Sequence, residues 1–119
     1  MIIGIGIDLV QLKDIFSGGL DHYKELILNE QELKLYDNIP SVEGQAMFVA
    51  GRFAAKEAVF KALRKYNKNI SYYDISVLNE KDGFTYATTN LIEDSSEIHL
   101  SMTHTNEYAL AYVVIEKVK

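Results

Sequence analysis

The sequence predicts an α+β fold in which an antiparallel sheet packs against one long helix. Three observations carry that reading. The two ends of the chain, 2–10 and 107–117, read as strands. The middle reads as a long helix from about Val42 to Tyr66. The strands after it are joined by hairpin signals rather than crossover helices, so helices and strands are segregated more than alternating.

The opening stretch MIIGIGIDLV is rich in Ile and Val. Ile3, Ile5, Ile7 and Leu9 fall on one face of the strand; Gly4, Gly6 and Asp8 fall on the other. Glycine weakens a strand interior unless another backbone or a ligand must come close. Asp8 therefore lies on a face cleared for close approach. Residues 11–17 and 21–37 have helical spacing, with a break at Ser17-Gly18-Gly19, and Asn29-x-x-Glu32 matches a helix-start cap. Asn38 to Pro40 ends that section, and the long helix follows. Asn67-Lys68-Asn69 reads as a turn and 70–78 as a strand. Asn79 to Gly83 is a hairpin signal with a return strand at 84–89. Strands near 97–103 and 107–117 meet at His104-Thr105-Asn106.

A chain of 119 residues is one domain's worth, and 48% hydrophobic residues can build a core without staples. The lack of Cys excludes disulfides and thiolate chemistry and fits a reducing cytoplasm. The net charge of −5 argues against a general nucleic-acid binder, although 12 Lys and Arg can still be concentrated at a site. The first ten residues lack a basic flank and are interrupted by Asp8, and no later run is long enough to span a bilayer. Gly4-x-Gly6 lacks the third glycine of a dinucleotide fingerprint, and no P-loop or H-E-x-x-H is present.

The segment GRFAAKEAVFKALRK carries most of the chemistry. Phe48, Val49, Phe53, Val59, Phe60 and Leu63 form a broad apolar arc, and Arg52 and Lys56 project from within it. Two cations one turn apart cost a helix a few tenths of a kcal/mol, which a bridging anion removes. The plainer alternative has both stems along the core edge with their heads in water. Ala50, Ala54 and Ala58 form a stripe of small side chains flanked by Glu57 and Lys61. Alone, that Glu–Lys spacing is an ordinary surface pair. A glycine-lined strand against an alanine-lined helix, however, brings Asp8 near Glu57. Paired carboxylates require a proton or a cation between them. With open positions they suit Mg²⁺, which keeps waters and takes phosphate oxygens as further ligands. In the last hairpin Leu100 and Met102 point one way, and His99, Ser101 and Thr103 the other. His104 stands at the strand end, where loops carry chemistry. Without a G-x-S-x-G elbow, Ser101 and His104 do not form a nucleophilic site.

GIGIDLV, AGRFAAKEAVFKAL and HLSMTHTNEYALAYVVIE, in that order and spacing, resemble the holo-[acyl-carrier-protein] synthases, the small bacterial phosphopantetheinyl transferases. The resemblance covers essentially the whole chain, and the G-R-F-A-A-K-E-A core is its most specific part. It implies a homotrimer with active sites between protomers. It also implies Mg²⁺-dependent transfer of 4′-phosphopantetheine from coenzyme A to a serine of apo acyl carrier protein, releasing adenosine 3′,5′-bisphosphate. By motif, Asp8 and Glu57 would hold the metal. Arg52, Lys56 and Lys61 would hold phosphates or stabilise charge on them. Ser101, Thr103, His104 and Thr105 would close the site. Glu57, a metal-bound water and His104 all stand as candidates for the base. Two other classes stay open: a non-catalytic carrier-protein or nucleotide-binding module, and a metal-dependent phosphohydrolase.

The chain departs from the family's pattern in three places. Arg64 to Asn69 stands where a Gly-Thr-Gly segment is usual. Gly83-Phe84-Thr85-Tyr86 stands where Gly-Lys-Pro-Tyr is common. The first helical region, which docks the acidic carrier in the family, has Lys13, His22 and Lys24 mixed with Asp14, Asp21 and Glu25.

Overall fold

A computed structural model describes residues 1–63 and 71–118. Strand β1 (Ile2–Gln11) leads into three short helices, α1 (Leu12–Gly18), α2 (Leu20–Ile27) and α3 (Glu30–Asp37), and then the long helix α4 (Val42–Ala62). A 3-10 turn (Tyr72–Asp74) precedes β2 (Ile75–Asn79), β3 (Thr85–Thr89), β4 (Ser96–His104) and β5 (Tyr108–Lys117). A three-stranded antiparallel sheet has the order β1-β5-β4, and β2-β3 form a separate hairpin.

The long helix is the core of the molecule. Ser41 caps it by accepting a hydrogen bond from the Gly44 N–H at 3.0 Å. Ala50, Ala54, Ala55, Ala58 and Val59 are buried, as are Ala109, Ala111, Val113 and Ile115 of the central strand β5. The small side chains of α4 let β1 come so close that glycine is required there. A Cβ on Gly4 would lie 2.1 Å from the Ala62 carbonyl oxygen, and one on Gly6 1.8 Å from that of Ala58. The predicted complementarity of glycine strand and alanine helix is therefore what joins β1 to α4.

The predicted helix over 21–37 is two helices. Asn29 and Glu32 complete a reciprocal capping box, so a new helix starts there and the previous one ends at Ile27. The strand predicted from residue 70 begins only at Ile75, because Ser71 and Asp74 cap a 3-10 turn first. The helix end predicted at Tyr66, the turn at Asn67-Lys68-Asn69 and the segment replacing Gly-Thr-Gly lie outside the described residues. Opposite α4, the sheet presents Ile3, Ile5, Ile7 and Leu9 of β1 and Tyr112 of β5 to the exterior, with Ile5 at 60% and Leu9 at 57% exposure.

Candidate functional site

Asp8 follows Gly4 and Gly6 on the face of β1 that meets α4. Gly4 lies over Ala62 and Gly6 over Ala58. Two residues forward on the strand thus match one turn backward on the helix, and Asp8 comes level with the turn that holds Ala54 and Glu57. Lys61 reaches across: its ammonium donates to Asp8 Oδ1 and to the Ile7 carbonyl, both at 2.9 Å. Lys61 thus neutralises Asp8 and makes no hydrogen bond to Glu57 among the described residues. Glu57 is half-buried, and its Oε1 accepts a hydrogen bond from the Tyr72 hydroxyl. Burial first, then that hydrogen bond and the charges of Glu57 and Asp8, push the Tyr72 phenol above its ordinary range. It therefore stays a neutral donor at physiological pH.

These residues fit a divalent cation. Both carboxylates are hard oxygen donors, and Asp8 Oδ2 and Glu57 Oε2 make no hydrogen bond among the described residues. Among those residues there is no group of three or more metal-binding side chains. Such a sparse set suits Mg²⁺, which completes its shell with water and substrate phosphate.

A second group of predicted residues meets elsewhere. Arg52, Ser101, Thr103 and His104 line a cleft of about 490 Å³, bounded by the N-terminal half of α4, the end of β4 and the turn at Gly83 and Phe84. Arg52 is buried and held firmly. Its Nε donates to the Val77 carbonyl at 3.2 Å, its Nη2 donates to Asn79 Oδ1 at 2.8 Å, and its guanidinium stacks 4.0 Å over the Phe48 ring. Burial lowers its pKa to about 10, opposed by Glu32, so it remains cationic at neutral pH. Ser101, Thr103 and His104 are exposed along the β4 edge. Thr105 does not line this cleft. Its Oγ1 accepts from the Glu107 and Tyr108 N–H groups at 3.1 Å and shapes the β4–β5 turn.

Lys56 belongs to neither group, which corrects the expectation that it faces a phosphate. It is fully buried, its ammonium 2.6 Å from both Glu32 Oε1 and the Ile27 carbonyl oxygen. Glu32, equally buried, also accepts from the Asn29 N–H at 2.9 Å and the Val77 N–H at 2.8 Å. The pair ties α2, α3, α4 and β2 together. Burial lowers the Lys56 pKa, opposed by its attraction to Glu32. The water-exposed alternative fails as well, because an ammonium with these partners has no need of solvent.

Within one chain the two groups stay apart. Asp8 lies on β1 and Ser101, Thr103 and His104 on β4, at opposite edges of the sheet with β5 between them. Two residues that the sequence reading passed over also matter here. Tyr72 was hidden in an apparent strand, although the Ser71-x-x-Asp74 capping signature marks a helical turn. Glu32 was visible only as a cap.

Residues 4–113 match the model of the 4′-phosphopantetheinyl transferase superfamily. The holo-[acyl-carrier-protein] synthase of Acholeplasma laidlawii is 42% identical over 116 residues, covering 98% of each chain. That of Bacillus subtilis is 40% identical over 120 residues, with the same coverage. Among solved structures, the holo-(acyl-carrier-protein) synthase of Bacillus anthracis in complex with CoA (3′,5′-ADP) superposes with a TM-score of 0.87 at 40% identity, covering 98% of each chain. The Neisseria meningitidis enzyme gives 0.83 at 29% identity, covering 98% of this chain and 100% of its own.

Proposed function

This chain belongs to the 4′-phosphopantetheinyl transferase superfamily, and from that premise we infer that it moves the 4′-phosphopantetheine arm of coenzyme A onto a serine of apo acyl carrier protein. The reading draws on relatives named for that activity and on a CoA complex of a similar fold. The observation in this chain that carries it is the alignment of Asp8, Glu57 and Lys61 by the close packing of β1 on α4.

The serine oxygen forms a bond to the β-phosphorus of coenzyme A as the bond from that phosphorus to the oxygen of adenosine 3′,5′-bisphosphate breaks. Asp8 and Glu57 would hold Mg²⁺, which when bound neutralises charge on the pyrophosphate oxygens. Lys61, long and half-exposed, leaves Asp8 to neutralise charge on the phosphoryl group in transfer. Arg52, Ser101, Thr103 and His104 grip the nucleotide from their cleft. Lys56 contributes indirectly, by fixing the part of α4 that carries Glu57. The serine proton goes to a base, for which Glu57 and His104 are the two side-chain candidates.

Residues 1–119 act as one domain, and three copies form a homotrimer. The exposed Ile5, Ile7, Leu9 and Tyr112 form an apolar sheet face of the kind a neighbouring protomer covers. Covering it would bring the Asp8 edge of one protomer to the His104 edge of the next. The reaction takes place in the cytoplasm, which a chain without cysteine suits.

The test is intact-mass analysis of apo acyl carrier protein incubated with this protein, coenzyme A and Mg²⁺. A gain of one phosphopantetheine, abolished by EDTA, is expected. No gain with a folded protein would refute the transfer, and free phosphopantetheine without carrier would make the protein a hydrolase instead.

A further inference from the structure

Tyr72 occupies a position that packing alone does not explain. It sits along the one face of α4 that carries Phe53, Glu57 and Phe60. Its ring lies 5.8 Å from Phe53, edge-on, and 5.1 Å from Phe60. Two aromatic rings of the helix thus flank Glu57 and fix the Tyr72 ring from both sides. Its backbone is fixed as well, by the reciprocal Ser71 and Asp74 caps of the 3-10 turn. The next residue, Tyr73, donates its hydroxyl to the Glu25 carbonyl and anchors the turn to α2. A phenylalanine would satisfy every apolar contact in this arrangement. The hydroxyl adds one thing: a donor aimed at Glu57 Oε1.

We propose that Tyr72 is a positioning residue for the cation site, holding Oε1 of Glu57 so that the carboxylate presents Oε2 alone toward Asp8. A carboxylate on a helix side chain has several rotamers, and freezing one of them before the cation arrives removes that ordering cost from binding. It also restricts Glu57 to one-oxygen ligation, which leaves positions for water and phosphate around a small octahedral cation. Outer partners of metal ligands typically change affinity or activity by about 10–100-fold when removed. The proposal rests on the reading of Glu57 as a cation ligand.

The experiment compares Tyr72→Phe with wild type and with Glu57→Gln. Mn²⁺ binding to the protein–coenzyme A complex is read by electron paramagnetic resonance without carrier protein, and melting temperature and the Mg²⁺ dependence of transfer are measured on the same samples. Tyr72→Phe keeps the ring and so should melt within a few degrees of wild type. Its Mn²⁺ affinity should fall by about tenfold or more, and its half-saturating Mg²⁺ should rise by the same factor while kcat at saturating Mg²⁺ changes little. Unchanged Mn²⁺ affinity, with or without a lower melting temperature, would overturn the proposal. In that case Glu57→Gln separates the causes. If it alone weakens Mn²⁺ binding, only the role of Tyr72 fails; if neither variant does, Glu57 is not a ligand.

Discussion

Replacing Lys56 with methionine tests the assignment on which the sequence and the structure differ most. The substitution keeps the length of the side chain and deletes the ammonium. Glu32 would retain its hydrogen bonds from the Asn29 and Val77 N–H groups but lose its only cationic partner among the described residues. Both side chains are fully buried, so no solvent compensates. Removing one partner of such a pair costs about 3–5 kcal/mol, a large part of the roughly 5–15 kcal/mol that holds a domain folded. With a urea m-value of about 1.5 kcal/mol/M, the unfolding midpoint should fall by about 2–3 M. Because the chain is proposed to associate, all variants are compared at one protomer concentration. In Glu32→Leu/Lys56→Met the stranded charge is gone, and part of the loss should return. It should not return fully, because the Val77 N–H and the Ile27 carbonyl still lose their partners. In the folded fraction of Lys56→Met, the KM for coenzyme A should stay near wild type. A stability within about 1 kcal/mol of wild type together with a large rise in KM would refute the argument and return Lys56 to the phosphates.

Lys61→Ala should reduce turnover by about a hundredfold while changing stability by less than about 1 kcal/mol, since the Lys61 end of the Asp8 pair is half-exposed. Steady-state kinetics beside a urea curve would show it. Gly6→Ala should cost about 1–3 kcal/mol or more in urea unfolding, because its Cβ meets the Ala58 backbone oxygen rather than a movable side chain. Ile7→Asp, on the exterior face, should leave a folded monomer by light scattering with little transfer activity. Mixing equal amounts of separately inactive Glu57→Ala and His104→Ala, after dissociation and reassembly, should restore about a quarter of wild-type activity if each site takes one residue from each of two protomers. Activity no higher than the mean of the two variants would place the whole site in one chain.

The contact between β1 and α4 was legible because it depends on steric period. Gly4 and Gly6 repeat every second residue, Ala54 and Ala58 every fourth, and two small-residue faces together allow the closest approach of the two backbones. The Arg52 and Lys56 environments were not legible, because nothing local distinguishes a cation headed for solvent from one headed for a buried partner. The partner of Lys56 lies 24 residues away. It already had a complete local explanation as the far end of the Asn29 capping box, and a residue with one role satisfied does not announce a second. Tyr72 was obscured by the opposite problem. The run around it, ISYYDISVL, has strand composition, and only the paired Ser71 and Asp74 caps reveal that the chain turns before Ile75. The same capping logic at Asn29 also required the preceding helix to end. Leu28, extended at φ −89° and ψ 129°, is where it does.

The placement of Asp8 in an apolar run follows from the period of β1 taken with its position at the edge of the sheet. Gly4 and Gly6 admit α4 on one face of that strand, and Ile3, Ile5, Ile7 and Leu9 make the other face apolar as far as Gln11. Past Gly6 the inward face carries side chains again, and the first of them is Asp8. There it meets the stretch of helix bearing Glu57 and Lys61. The outward face, Ile5, Ile7 and Leu9, faces a neighbouring copy in the proposed trimer. The same ten residues then position the carboxylate and the interface at once, and a shift of register by one would exchange the two faces and destroy both. On that arrangement the chemistry depends on assembly: the β1 edge of one protomer has the cation ligands, the β4 edge of another has His104 and the nucleotide cleft, and neither edge is a complete site.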